Sequence, residues 1–176
     1  MEGESIEVTI TGDISRYHVD PLRIKGVAAT VLAHLGKPSL ELSIQFTDIK
    51  NMARLNEQFR QKKSSTDVLS FAQMEFESPL MVGECAGCEA LDGPPTVLGD
   101  VVVSLDDARA NAVSIGHGLD CEVSFLIVHG ILHLCGHDHM QEEEEKLMIG
   151  EQKKLMGLLS DKEGRPLWAD CVVERP

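Results

Sequence analysis

Polar and apolar residues alternate around Ile6, Val8 and Ile10, the period of a half-buried strand. Asp20-Pro21 then reads as a helix start, with a capping carboxylate followed by the residue best suited to the first helical position. From there Ile24, Val27, Ala28, Val31, Leu32 and Leu35 recur at steps of three and four until Gly36 closes the pattern, which predicts an amphipathic helix. Leu40, Leu42, Ile44 and Phe46 alternate again as a second strand. A shorter helix from about Asp48 carries Ile49, Met52, Leu55, Asn56 and Phe59 into the polar loop 61–66. Residues 68–71 read as a third strand and 97–104 contain a fourth. Two helices follow near 106–115 and 120–135. A last one begins near Glu142, with acids in its first turn and Lys153-Lys154 late, as the helix dipole favours.

This order predicts an α+β fold, a small mixed four-stranded sheet packed with about five helices, in a single domain over residues 1–176. Residues 73–96, with Pro79, Gly83, Gly87, Gly93, Pro94 and Pro95, are long for a connection in a compact domain and are expected to be mobile or functional. Residues 160–176 form a tail without identifiable chemistry, with Leu167-Trp168 expected to pack back on the domain.

Four of the seven histidines fall within residues 129–139. On a helix, His129 and His133 lie one turn apart on one face, where two imidazoles can share a metal ion. Continued helix would carry His139 about 280° around from His129, out of reach. Gly136 resolves this, because a glycine just past a helix end reverses the chain in the left-handed conformation. The expected result is a zincin-like site of His129, His133 and His139. Three nitrogen ligands with an open fourth position describe a catalytic zinc site, which lowers the pKa of bound water towards ~7. Spacing does not separate zinc from nickel or cobalt, since imidazole suits all three. His137 either faces solvent or supports a ligand ring. Asp138 either orients a ligand imidazole or shapes the turn.

The H-x3-H-x5-H spacing is also that of metzincin peptidases, whose first histidine is followed by a glutamate acting as general base. Here Gly130 holds that position. The metal cage survives and the peptidase base does not, which favours hydrolysis of another bond.

The stretch His129-Gly130-Ile131-Leu132-His133-Leu134-Cys135-Gly136-His137-Asp138-His139 resembles the signature of the YbeY family, metal-dependent endoribonucleases of rRNA maturation. Supporting blocks occur in family order: Leu55-Asn56 with Arg60, Thr66-Asp67-Val68-Leu69-Ser70-Phe71, and Leu98-Gly99-Asp100-Val101-Val102-Val103-Ser104, with Glu122 where the family has its glutamate. The resemblance implies a Zn2+ ion on the three histidines and Arg60 as a catalytic arginine in the same cleft. It implies a single-strand-specific endoribonuclease acting at the 3′ end of small-subunit rRNA and in ribosome quality control. Its partners would be rRNA and the small ribosomal subunit or its assembly factors. An arginine fork suits that chemistry, because phosphodiester cleavage builds charge on the nonbridging oxygens. Taken alone, Arg60 reads as a solvated charge at a helix C-terminus. Lys62, Lys63 and Ser70 are expected on the substrate side, Asp67 as a possible neighbour, and Asp100 either as a turn residue or near the cleft.

The 73–96 stretch departs from the family pattern by its length and contains Cys85-Ala86-Gly87-Cys88, half of a zinc knuckle at most. Two other readings remain open at this point. One is a non-catalytic ribosome-assembly factor with a structural zinc; the other is a metallopeptidase using Glu122 or Asp138 as its base.

Composition narrows the setting. At 43% apolar residues the chain is not a disordered acidic tail, and no apolar run approaches the ~18 residues of a spanning helix, so no membrane is expected. An acidic N-terminus argues against a targeting peptide. Five cysteines without regular spacing argue against a disulfide framework and for a reducing cytoplasm, with no disulfide partner expected. The net charge of −13, taken alone, argues against nucleic acid. Its distribution reverses that inference. Residues 1–72 hold 9 basic and 9 acidic groups, whereas 73–176 hold 7 and 20. The window of Lys50, Arg54, Arg60, Lys62 and Lys63 is therefore expected to face an anionic substrate.

Overall fold

The computed structural model describes residues 7–35, 40–83 and 96–159. Strands β1 (Glu7–Thr11), β2 (Leu40–Thr47), β3 (Val68–Ala72) and β4 (Thr96–Ser104) form one sheet in the order β1-β2-β4-β3. The first three in that order run parallel, and β3 lies antiparallel on the edge beside β4. Five α-helices accompany them: α1 (Pro21–His34), α2 (Ile49–Arg60), α3 (Leu105–Ile115), α4 (Leu119–Leu134) and α5 (Glu142–Leu158). The α+β fold with a mixed four-stranded sheet is thus as the alternation predicts.

Local chemistry starts and stops these helices where the sequence suggests. Asp20 caps α1 by accepting from the Leu22 N–H, Asp48 caps α2 through Asn51, and Ser104 caps α3 through Asp107. Gln141 and Glu144 form a reciprocal capping box on α5. Helix α2 ends at Arg60 because Gln61 turns left-handed, and the Gln61 and Lys62 N–H groups then close onto the Glu57 and Asn56 carbonyls.

Helix α4 is the centre of the molecule. Twelve of its sixteen residues are buried, between β3 and β4 on one side and α1, α3 and α5 on the others. A helix apolar all round has this place in a fold. Helix α2 lies on the opposite face of the sheet, where Met52, Leu69 and Val102 make a second, small core. Between Glu41 and Leu42 the register of β2 on β4 jumps from Val97 to Gly99, a bulge that leaves Leu98 extra. Gly99 has φ of 145°, and a Cβ there would lie 2.3 Å from the Phe71 carbonyl oxygen, so glycine is required.

The described part of the long connection, residues 73–83, is fastened along its course. The Gln73 N–H donates to the Leu98 carbonyl, Leu80 to Cys135, Gly83 to His34, and Val82 to the Glu151 carboxylate. Met74, Phe76, Leu80 and Val82 pack against the main core. Cys85, Cys88 and the 160–176 tail lie outside the described residues. Of the described cysteines, Cys135 is a free, buried thiol and Cys121 is disulfide-bonded. Among the described residues no single helix is long and apolar enough to cross a membrane.

Candidate metal centre and cleft

His129 and His133 leave α4 on the one face its burial spares, both half-buried. Beyond Leu134 the chain reverses at Gly136, whose φ is 90°, while the His137 N–H closes onto the Leu132 carbonyl. This reversal brings the exposed His139 back to the pair. One nitrogen from each of the three rings lies within 4.8 Å of the other two. Ring centroids are 4.7 Å apart for His129 and His133, 5.0 Å for His133 and His139, and 5.8 Å for His129 and His139.

Hydrogen bonds behind two of the rings settle which nitrogens face the centre. The Gln152 amide N–H donates to the Phe125 carbonyl at 2.9 Å, so its oxygen is the atom presented to His129 Nδ1, 3.1 Å away. His129 Nδ1 must then carry the proton. His133 Nδ1 faces the His137 carbonyl at 3.0 Å and must carry a proton for the same reason. In the neutral rings both Nε2 atoms then present lone pairs, and they stand 3.1 Å apart. Two facing lone pairs repel unless a cation lies between them. Adjacent ligands of a tetrahedral zinc with bonds of ~2.0–2.1 Å are separated by roughly 3.3 Å, so the residues present fit such an ion. Burial, with the positive charges of His139 and Arg60, pushes the His133 pKa below its ordinary 6.5 against the pull of the His137 carbonyl and Asp138. A neutral imidazole, the form that ligates, is therefore favoured at neutral pH.

Of the two readings of Asp138, the structure has the turn: its carboxylate accepts from the His139 N–H at 2.7 Å. His137 does not face solvent. It is 3% exposed, its Nε2 donates to the Leu80 carbonyl at 2.7 Å, and its own carbonyl is the partner of His133. Arg60, exposed at the end of α2, is near enough for its charge to act on His133. Lys62 and Lys63 are exposed just beyond it. Ser70 on β3 donates to the Gly130 carbonyl at 3.2 Å, so it lies against the histidine helix between the first two ligands. Asp67 accepts from the Asn111 amide at 3.0 Å and Asp100 from the Gln73 amide at 3.2 Å, both bracing the fold. Glu122 is fully buried near the start of α4 and pairs with His117 at 2.7 Å.

Gly130 is small for a reason. A Cβ there would meet Val101 at 2.7 Å and Ser70 Oγ at 3.2 Å, so the position after the first histidine packs against the sheet. A peptidase's glutamate has no room at that point. Gln152 is the residue that spacing alone misses, since it lies on α5, far along the chain from the histidine motif. It also borders a cavity of about 240 Å3 between α4 and α5, walled by His129, His139, Glu145, Met148 and Ile149.

The chain is similar to known proteins over most of its described length. The family model described as endoribonuclease YbeY matches residues 11–160. An endoribonuclease YbeY of Oceanobacillus iheyensis is 44% identical over 117 residues, 66% of this chain and 72% of the relative. One from Bacillus mycoides is 42% identical over 116 residues, 66% of this chain and 70% of its own length. A Thermotoga maritima protein solved in solution superposes with a TM-score of 0.54 over 94% of this chain and 90% of that one. At 21% identity that likeness bears on the fold alone.

Proposed function

The chain belongs to the YbeY endoribonuclease family, and on that premise we propose that it cuts single-stranded RNA at the three-histidine centre, with Arg60 as the group that grips the scissile phosphate. The observation that carries this reading is the pair of Nε2 atoms of His129 and His133 facing each other 3.1 Å apart beside His139. His129, His133 and His139 would hold a divalent metal ion, zinc in this reading, which when bound supplies Lewis acidity and a water of lowered pKa.

The chain's own groups do the rest. The Gln152 oxygen and the His137 carbonyl hold two imidazoles in the ligating tautomer, so no reorientation is needed when substrate arrives. Arg60 offers a planar fork of donors to the nonbridging oxygens, which gain charge as the phosphodiester is cleaved. Lys62 and Lys63 extend the positive surface along the incoming strand. Gly130, with no room for a side chain, supports hydrolysis of a phosphodiester over peptide cleavage. We assign the substrate as rRNA, with trimming of the small-subunit 3′ end and ribosome quality control in the cytoplasm as the setting, and the small subunit or its assembly factors as partners.

The test compares cleavage of single-stranded RNA by wild type, Arg60→Ala and His129→Ala, with bound metal quantified in each. Arg60→Ala should keep its metal and lose activity; His129→Ala should lose both. Metal loss from Arg60→Ala would show its role to be misassigned, and an inactive metal-loaded wild type would remove the catalytic reading.

A further inference from the structure

We propose that Phe59, supported by Phe71, is a stacking platform for one unpaired base of the RNA, and that this platform gives the site its preference for single strands. The inference rests on the endoribonuclease reading and adds a binding residue to it.

Phe59 is 55% exposed, and among the described residues it is the one aromatic side chain among the exposed large apolar groups. It ends the apolar face of α2, whose buried positions Met52 and Asn56 precede it by seven and three residues. Its ring is nonetheless held. It meets Phe71 edge to face, with centroids 4.9 Å apart and an interplanar angle of 67°. Phe71 in turn packs on the small core of Met52, Leu69 and Val102. One side of the Phe59 ring is thus anchored while much of the residue faces solvent, the condition for a stacking surface of low entropy cost.

Its place is equally informative. Strand β3 lies on the sheet edge, and neighbouring residues of a strand point to opposite faces. Ser70 reaches the Gly130 carbonyl on the histidine helix, and Phe71, next along the strand, faces α2. The aromatic pair therefore lies on the α2 face of the edge strand whose other face meets the histidine helix. Arg60 is adjacent in sequence and acts electrostatically on His133, with Lys62 and Lys63 just beyond. A strand gripped at Arg60 brings its neighbouring nucleotide past Phe59. Aromatic faces interleaved with basic side chains are the general means of holding unpaired RNA. A duplex keeps its bases stacked inside and cannot use such a ring.

The test is a fluorescence-anisotropy titration of the metal-loaded full chain, using a phosphorothioate oligouridylate that resists cleavage and an RNA hairpin of equal length. Phe59→Leu keeps an apolar contact with Phe71 and removes the ring face; Phe59→Trp keeps the face. Phe59→Leu should weaken single-strand binding by between about fivefold and about a hundredfold. It should leave hairpin binding and thermal stability unchanged. Phe59→Trp should bind like wild type or tighter, and an aminopurine in the strand should be quenched by wild type and Phe59→Trp only. Equal single-strand affinity and quenching in Phe59→Leu and wild type overturn the platform alone. A wild type that binds neither RNA removes the endoribonuclease reading and the platform together.

Discussion

The Gln152 side-chain oxygen lies 3.1 Å from His129 Nδ1, and the same amide is pinned by its donation to the Phe125 carbonyl at 2.9 Å. Two bonds on one buried side chain thus decide which nitrogen of a candidate ligand faces the centre. Losing such a partner typically weakens metal binding by about 10- to 100-fold. Gln152→Leu should do this in a competition titration against a chelator, with the helical signal retained. Gln152→Glu keeps an acceptor for His129 Nδ1 but loses the N–H that donates to Phe125, so its affinity should fall between those of wild type and Gln152→Leu. Unchanged affinity in Gln152→Leu would mean the amide only fills space.

Removing the metal should leave the fold in place. Helix α4 owes its position to twelve buried residues, not to its two ligands, and the reversal at Gly136 is held by the Gly136 N–H on the His133 carbonyl and the His137 N–H on the Leu132 carbonyl. On chelation the far-UV spectrum should persist with one cooperative transition. Its midpoint should fall by about 5–10 °C, the size expected when a ligand at roughly a hundred times its Kd is withdrawn. Collapse of the fold on chelation would favour a structural metal and a non-catalytic protein.

Gly130 gives a separate test of why the peptidase base is missing. Alanine is the better helix former by about 1 kcal/mol in an open helix. Here the added methyl would meet Val101 at 2.7 Å, and Val101 is itself fully buried with nowhere to move. Overpacking costs typically 1–3 kcal/mol, so Gly130→Ala should lower thermal stability in spite of its helix propensity. Gly130→Glu also buries an unpaired carboxylate and should fail to fold. A stable Gly130→Ala would mean α4 sits less tightly on the sheet than these distances require.

These cases show what the sequence could and could not disclose. Strands β1 and β2 and helix α1 were readable because each buries one face, so burial and polarity share a period. The histidine pair and the Gly136 reversal were readable because their partners are close in sequence. Helix α4 has little amphipathic pattern, since twelve of its sixteen residues are buried and only a narrow face with the histidine pair is spared. His137 was open to misreading because its partner, the Leu80 carbonyl, comes from a connection whose path no local pattern records. Gln152 left one faint signal. With Met148, Leu155 and Met156 it occupies the buried face of α5, where an amide is unexpected unless it is bonded. Only the packing of α5 on α4 reveals its partner.

Stability at low pH should depend on a pair remote from the centre. The Tyr17 hydroxyl donates to Asp106 at 2.6 Å, the Ile49 N–H adds a second bond at 3.0 Å, and the Arg109 guanidinium lies 4.4 Å above the Tyr17 ring. The Tyr17 bond is the chief cause holding the Asp106 carboxyl below its ordinary 3.8, and the same bond raises the Tyr17 phenol above 10.0. For Asp106 the folded state binds its proton less readily than the unfolded chain. Its stabilisation is therefore complete above the unfolded value and is lost as pH falls through the lower, folded one. For Tyr17 the neutral form is favoured by folding, so its share is complete below 10.0 and is lost as pH rises through the raised value. Tyr17→Phe should flatten the dependence of stability on pH at both ends, and Asp106→Asn should flatten the acid end by removing the carboxylate itself. Denaturant midpoints measured from pH 3 to pH 5, and again above pH 9, would show this directly. A Tyr17→Phe curve parallel to wild type in the acid range would mean that the Ile49 N–H alone holds the carboxylate.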